Sequence, residues 1–186
     1  MKKQEITEMK QQLESLIGKP INYITRAANM ICVGFGNTVV IEKPYRTKEN
    51  TFEMRKREAA EYALHIQCAF RLYLGDRIVA ATSDIYQPTE KALEDPMFVW
   101  DNFQYDEKGN NQFDWIVEHR IAPYYSEFVV KGVTVNKFGD VKISFHNDYV
   151  LELMVDSSLD SECWRFFSPG DEDSHLVILG TGIEEA

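Results

Sequence analysis

Long apolar runs are missing from this 186-residue chain. None approaches the roughly 20 residues that a membrane-spanning helix needs, so no such span is expected. Cysteine is scarce, and Cys32, Cys68 and Cys163 are odd in number, widely spaced and set in apolar neighbourhoods. That usage argues against a disulfide framework and predicts buried free thiols. Histidine is equally scarce: His65, His119, His146 and His175 are scattered, without the clustering that metal ligation requires. Asp171, Asp173 and His175 alternate and could share a face, but they lie in an acidic turn that reads as a solvated loop. The downstream glutamate of a calcium loop is missing there. Gly34-Phe35-Gly36 lacks the third glycine of a dinucleotide fingerprint, and no helix with an acidic residue at the expected offset follows it. No G-x-S-x-G elbow occurs. These absences predict no cofactor and no metal, and they lean away from an enzyme.

Positive charge is the last shortage, and it is local. The net charge is −10. Residues 1–83 hold 13 Lys/Arg against 9 Asp/Glu, whereas residues 84–127 hold 3 against 10 and residues 156–186 hold 1 against 8. Such an acidic second half argues against nucleic acid as a partner, because phosphates would be repelled. It suits solubility, or an electrostatic match to a basic protein partner. The first residues, Met1-Lys2-Lys3-Gln4-Glu5, lead into an amphipathic segment with no signal-peptide apolar region, so a cytoplasmic location is expected.

What the chain does contain is a folded domain's share of apolar residues, 44%, with 12% aromatics. Length and composition predict a single domain over residues 1–186. Ile6, Met9, Leu13, Leu16 and Ile17 recur at helical spacing and predict a helix over 4–17, ended by Gly18 and Pro20. Strands are expected at 21–24, 30–35 and 38–41, with Ala27-Ala28-Asn29 and Gly36-Asn37 as turns. Residues 43–62 are polar and charged, and Phe52 to Tyr62 reads as a short helix whose Arg55-Lys56-Arg57 pair with neighbouring glutamates. A long segment, 87–123, carries Phe98, Trp100, Phe103, Tyr105, Phe113 and Trp115. It reads as an insertion anchored by buried rings, with an aromatic ligand platform as the alternative, and Asp114 to Arg120 as a helical piece. From 128 the chain is β again, with strands at 128–135, 141–145, 149–155, 164–167 and 175–179. The expected fold is therefore α+β, mainly antiparallel β-sheet in two meanders, with an N-terminal helix and a long aromatic-rich insertion.

The strongest single pattern runs from Ala63 to Tyr86. Leu64, Ile66, Cys68, Phe70, Leu72 and Leu74 fall on every second position, with His65, Gln67, Arg71 and Tyr73 between them. Period two predicts one strand with an apolar and a polar face. Gly75-Asp76 then supplies a two-residue hairpin turn. Pairing Leu74 with Arg77 would set Asp84 opposite Gln67 and Tyr86 opposite His65. His65, Gln67, Arg71 and Asp84 are accordingly the candidate binding residues, as a small pocket or as an internal polar network. Cys68 falls on the other face from His65, which argues against a Cys–His dyad.

Leu64-His65-Ile66-Gln67-Cys68 with Phe70-Arg71, Ser83-Asp84-Ile85-Tyr86, Gly139-Asp140-Val141 through Asn147, Leu151 and Trp164-Arg165 form an arrangement that resembles a family of small uncharacterised bacterial proteins. Some of its members look like immunity proteins of polymorphic toxin systems, and the resemblance covers roughly residues 18–167. It carries over no catalytic residue. It implies tight binding to a cognate toxin, in keeping with the acidic surface. The first expectation is thus a non-enzymatic cytosolic binding protein, of immunity type, engaging a protein partner through acidic surface. The alternative is a small-molecule binder or enzyme with a polar pocket around His65, Arg71 and Asp84.

Overall fold

The computed structural model describes residues 1–48, 50–171 and 175–184. Its architecture is α+β and mainly antiparallel. Helix α1 (Lys3–Leu13) continues through a tighter 3-10 turn at Glu14–Leu16. The Glu5 carboxylate accepts the Lys2 amide at 2.7 Å, and Met9, Leu13 and Leu16 are buried against the strand β6 (Val130–Val135). Gly18, at φ +81°, ends the segment, and its amide donates to the Val130 carbonyl at 2.8 Å.

Two sheets follow. One has the order β1 (Ile21–Ala27), β2 (Met30–Arg46), β3 (Phe52–Ile66), β9 (Glu162–Phe167), β10 (Leu176–Leu179) and β11 (Gly182–Ile183). The other has the order β5 (Arg77–Ala81), β4 (Ala69–Leu74), β8 (Tyr149–Met154), β7 (Val141–Phe145) and β6. Each sheet therefore draws strands from both halves of the chain. A single core joins their inner faces: Val33, Leu64, Ile66, Trp164 and Phe166 from the first, Phe70, Leu72, Ile143, Leu151 and Leu153 from the second. The late strands lie where the sequence pattern predicts them, although β10 is buried on both faces, at Leu176, Val177 and Ile178.

Three expectations are corrected. The run from Ala63 to Leu74 is not one strand. At Gln67 and Cys68 the chain leaves the first sheet and enters the second, both amides donating to the Cys163 carbonyl at 2.8 and 2.9 Å. Alternation survives the crossing because each sheet turns its even-numbered residues toward the shared core. The second correction is at Gly36-Asn37, which is a bulge within β2 and not a turn: Phe35 pairs with Tyr62, then Thr38 with Ala60. Glu61 holds that bulge, accepting from the Asn37 amide at 3.0 Å and from Lys19 Nζ at 2.9 Å. Third, Phe52 to Tyr62 is strand, not helix. Its Glu, Lys, Arg and Ala residues favour helix, but β2 pairs with it residue by residue out to Arg46↔Phe52. The ion pairing expected along a helix runs between strands, as Lys56–Glu42 at 3.5 Å. The expected acidic turn at 170–173 falls in part on Glu172 and Asp173, which lie outside the described residues.

The insertion is built from short pieces: α2 (Glu90–Leu93), a 3-10 turn at Trp100–Asn102, α3 (Gln112–Ile116), a π turn at Val117–Ile121 and a 3-10 segment at Ala122–Glu127. Phe113, Ile116, Val117 and Ile121 are buried and close one end of the core.

On the outer face of the first sheet the Tyr23 ring lies across Gly34, so that a Cβ at position 34 would overlap the ring. Gly34→Ala is expected to destabilise the protein by about 1–3 kcal/mol, the usual cost of forcing atoms into an occupied space. Urea unfolding measures this, and an unchanged midpoint would contradict the packing.

Candidate interaction surface

The four residues singled out by alternation do not share a face. His65 lies on the outward face of the first sheet, between its cross-strand partners Cys32 and Arg165. Its ring meets Phe167 edge-on at 4.9 Å, and Phe167 stacks on His175 at 4.6 Å. Gln67 is exposed at the crossing between sheets. Arg71 lies on the outward face of the second sheet. There it donates from Nε to Glu152 Oε2 at 2.6 Å, while Lys142 Nζ reaches Glu152 Oε1 at 3.0 Å. These three are direct neighbours across β4, β8 and β7. Burial alone would raise the Glu152 carboxyl, but the hydrogen bonds from Lys142 and Arg71 prevail and hold it below the usual carboxylate range.

Asp84 is diverted by a change of register. Leu74 pairs with Arg77 as expected, but a bulge at Val79 shifts Leu72 onto Ala80, and β5 stops at Ala81. A 3-10 turn at Thr82–Tyr86 replaces the expected strand, and Asp84 accepts the Ala81 amide at 2.8 Å. The carboxylate thus caps a turn, the guanidinium neutralises Glu152, and the imidazole packs on a ring.

The expectation of buried thiols holds for Cys68 and Cys163, whereas Cys32 is only half-buried. Burial, with the neighbouring Cys163 second, pushes the Cys68 thiol up to about 12, and burial raises Cys32 and Cys163. All three cysteines are free. A thiol held protonated is a poor nucleophile.

A cleft of about 330 Å³ lies at Arg71, Tyr73, Gly75, Asp76 and Ile78 on the second sheet, and the insertion carries further exposed aromatic surface. Phe98, Trp100 and Phe103 form a cluster, with centroids 5.4 Å apart for Phe98–Trp100 and 6.2 Å for Trp100–Phe103. Here the expectation of buried rings holds for Phe113 but fails for Trp100, which is 58% exposed beside Met97 at 83%. A cleft of about 270 Å³ runs along Met97, Phe98, Val99 and Phe103. Another of about 250 Å³ lies beside Glu90, Glu94, Trp115 and Arg120. Both fall below the roughly 300 Å³ at which small-molecule pockets begin, so side chains of a larger partner suit them better. Carboxylates surround the rings: Glu90, Glu94, Asp95, Asp101, Asp106 and Glu107 are all exposed.

This lobe is fixed to the sheet by a residue that alternation does not flag. Arg26, on β1, is 2% exposed at its side chain and spends all five of its donors. Nε and Nη2 form a two-pronged pair with Asp114 at 2.8 and 2.7 Å; Nη1 donates to the Ala28 and Asp106 carbonyls, and Nη2 also to Glu107. Asp114 accepts in addition from the Gly109 amide, and its own amide is capped by Asn111 Oδ1 at 2.8 Å. The buried Asn111 in turn donates to the Tyr105 carbonyl at 2.9 Å. Tyr125 completes the attachment, its phenol oxygen accepting the Ile24 amide at 3.0 Å. The sequence does carry a signal for Arg26: it is the only charged residue between positions 20 and 41.

A pH dependence follows from His65. Burial, with Arg165 next, lowers its affinity for a proton in the folded state. The unfolded chain, titrating near 6.5, takes up the proton first, so stability is complete above that value and falls as acid is added. His65→Gln is expected to flatten the loss of stability between about pH 7 and pH 5, followed by urea unfolding across that range; a slope identical to wild type would contradict the assignment. Comparison with protein-family models, curated proteins and solved structures finds no match for this chain.

Proposed function

We propose that this chain is a non-enzymatic, cytosolic binding protein of immunity type, and that the acidic aromatic lobe at residues 84–127 engages a basic protein partner. The observation that carries this reading is the exposure of Trp100 and Met97 on a segment of net charge −7 that Arg26 and Asp114 hold in place. Trp and Met are the residues that anchor interfaces when they stand proud of a rigid surface, and the surrounding carboxylates supply long-range attraction to a cationic partner. Preorganisation keeps the entropy cost of docking low. The resemblance to immunity proteins supports the same reading, because neutralising a toxin asks for tight binding and no catalysis. A polar pocket around His65, Arg71 and Asp84 is the less favoured reading, because each has its own partners on a different element.

The test is capture from the native lysate on immobilised protein, at low and high salt. Wild type is expected to retain a basic protein at low salt and lose much of it at high salt. Trp100→Ala is expected to weaken that capture by about tenfold or more while leaving the thermal midpoint within a degree or two, since the ring supports no core packing. Capture of no basic protein, or equal capture by Trp100→Ala, would count against the lobe.

A further inference from the structure

Past the ends of β1 and β9, β2 and β3 continue as a two-stranded ribbon that is covered at its root, where Ile41 is 7% exposed and lies beside Gly170. Strand β1 ends opposite Phe35, and β9 ends opposite Ala63, yet β2 and β3 remain paired from Thr38↔Ala60 to Arg46↔Phe52. At about 3.4 Å per residue these nine pairs project roughly 30 Å. A two-stranded ribbon standing alone is only marginally stable in water. Every residue from Phe52 to Glu58 is exposed, and Phe52 and Met54 keep 72% and 62% of their surface open.

Its charges are arranged unusually. Lys43 lies directly opposite Arg55, and Arg57 follows two residues along on the same face. Like charges facing each other across a strand pair are destabilising. The ion pairs within the ribbon, Arg55–Glu53 at 3.4 Å and Lys56–Glu42 at 3.5 Å, are long and exposed, hence weak. Residues 42–58 hold 6 of the chain's 20 cations and carry a net +2, on a molecule whose total is −10. A cationic face that repels itself is complementary to a dense carboxylate surface, and this chain builds one at Glu90, Glu94 and Asp95.

We infer that the ribbon is a docking arm for a second copy of this chain: the Lys43–Arg55–Arg57 face of each copy lies on the acidic lobe of the other, giving a two-fold dimer by reciprocal arm exchange. This rests on the reading of the lobe as a platform for basic protein surface. A two-fold arrangement uses the same contact twice, so modest charge attraction at each arm is doubled.

The experiment is light scattering after gel filtration, at about 0.05 M and about 0.5 M salt. Wild type is expected at twice the 21.6 kDa chain mass at low salt, shifting toward the monomer at high salt. Lys43→Glu with Arg55→Glu, the first half-buried and the second exposed, is expected to weaken the dimer at least tenfold. So is a shortened ribbon in which Asn-Gly replaces residues 42–56 between the paired Ile41 and Arg57. Mixing the Lys43→Glu, Arg55→Glu variant with a Glu94→Lys, Asp95→Lys variant is expected to restore the dimer, which only direct contact explains. A wild-type monomer at both salt concentrations, or a dimer that survives both ribbon variants, overturns the inference. The two readings fail separately. A wild-type monomer whose Trp100→Ala variant still loses the basic partner removes the dimer alone. A dimer that responds to the ribbon variants beside unchanged capture by Trp100→Ala removes the external partner alone.

Discussion

The Arg26–Asp114 pair decides what the rest of this surface can be. A segment such as 87–111, made of one-turn helices and loops, has too little apolar area of its own to hold a shape. Arg26 spends five hydrogen bonds, four of which fix the segment to β1 by running to Asp114 or to the backbone oxygens of Asp106 and Glu107 in two-pronged or forked geometry. Only arginine has that many donors in a rigid plane, and lysine could not replace it. Because both side chains are almost fully buried, removing one partner leaves the other charge uncompensated, a cost of about 3–5 kcal/mol. The pair therefore couples the geometry of the lobe to the integrity of the first sheet.

Charge is segregated over the same surface. The body of the chain is acidic, the lobe most of all, and the projecting ribbon is the locally cationic element. Apolar side chains stand exposed at both, Trp100 and Met97 on the lobe and Phe52 and Met54 on the ribbon. Exposed aromatic and sulfur-bearing side chains of this kind are enriched at protein contacts. By contrast, the polar residues of the hairpin are occupied within the fold: Glu152 binds Arg71 and Lys142, Asp84 caps a turn, and His65 packs on Phe167.

How much of this was legible in the sequence depends on which physical rule governed each piece. Helix α1 and strands β6 to β9 were legible because burial of one face imprints a period, and β10 was legible as an apolar run buried on both faces. Free thiols were legible from an odd count in apolar neighbourhoods. The sheet crossing at Gln67-Cys68 was not, since alternation records which way a side chain points and not which sheet holds the strand. Nor was the ribbon, where strong helix formers from Phe52 to Tyr62 are overridden by pairing with β2. Asp84 was lost to one extra residue, Val79, which no propensity marks. The aromatic lobe was visible as composition, but hydrophobicity alone suggested burial, whereas Trp100 and Met97 are exposed. Arg26 was open to inference as the lone charge of positions 20–41, although its partner 88 residues away was not.

Amide hydrogen exchange of Arg26→Ala against wild type tests most directly whether Arg26 holds the lobe as a preformed platform. Protection in the variant is expected to be lost across residues 100–116, around the Asp106, Glu107 and Asp114 contacts, while the amides of β7, β8 and β9 keep their slow exchange. Unchanged protection of 100–116 in Arg26→Ala would contradict it, because the lobe would then be ordered by something other than this pair.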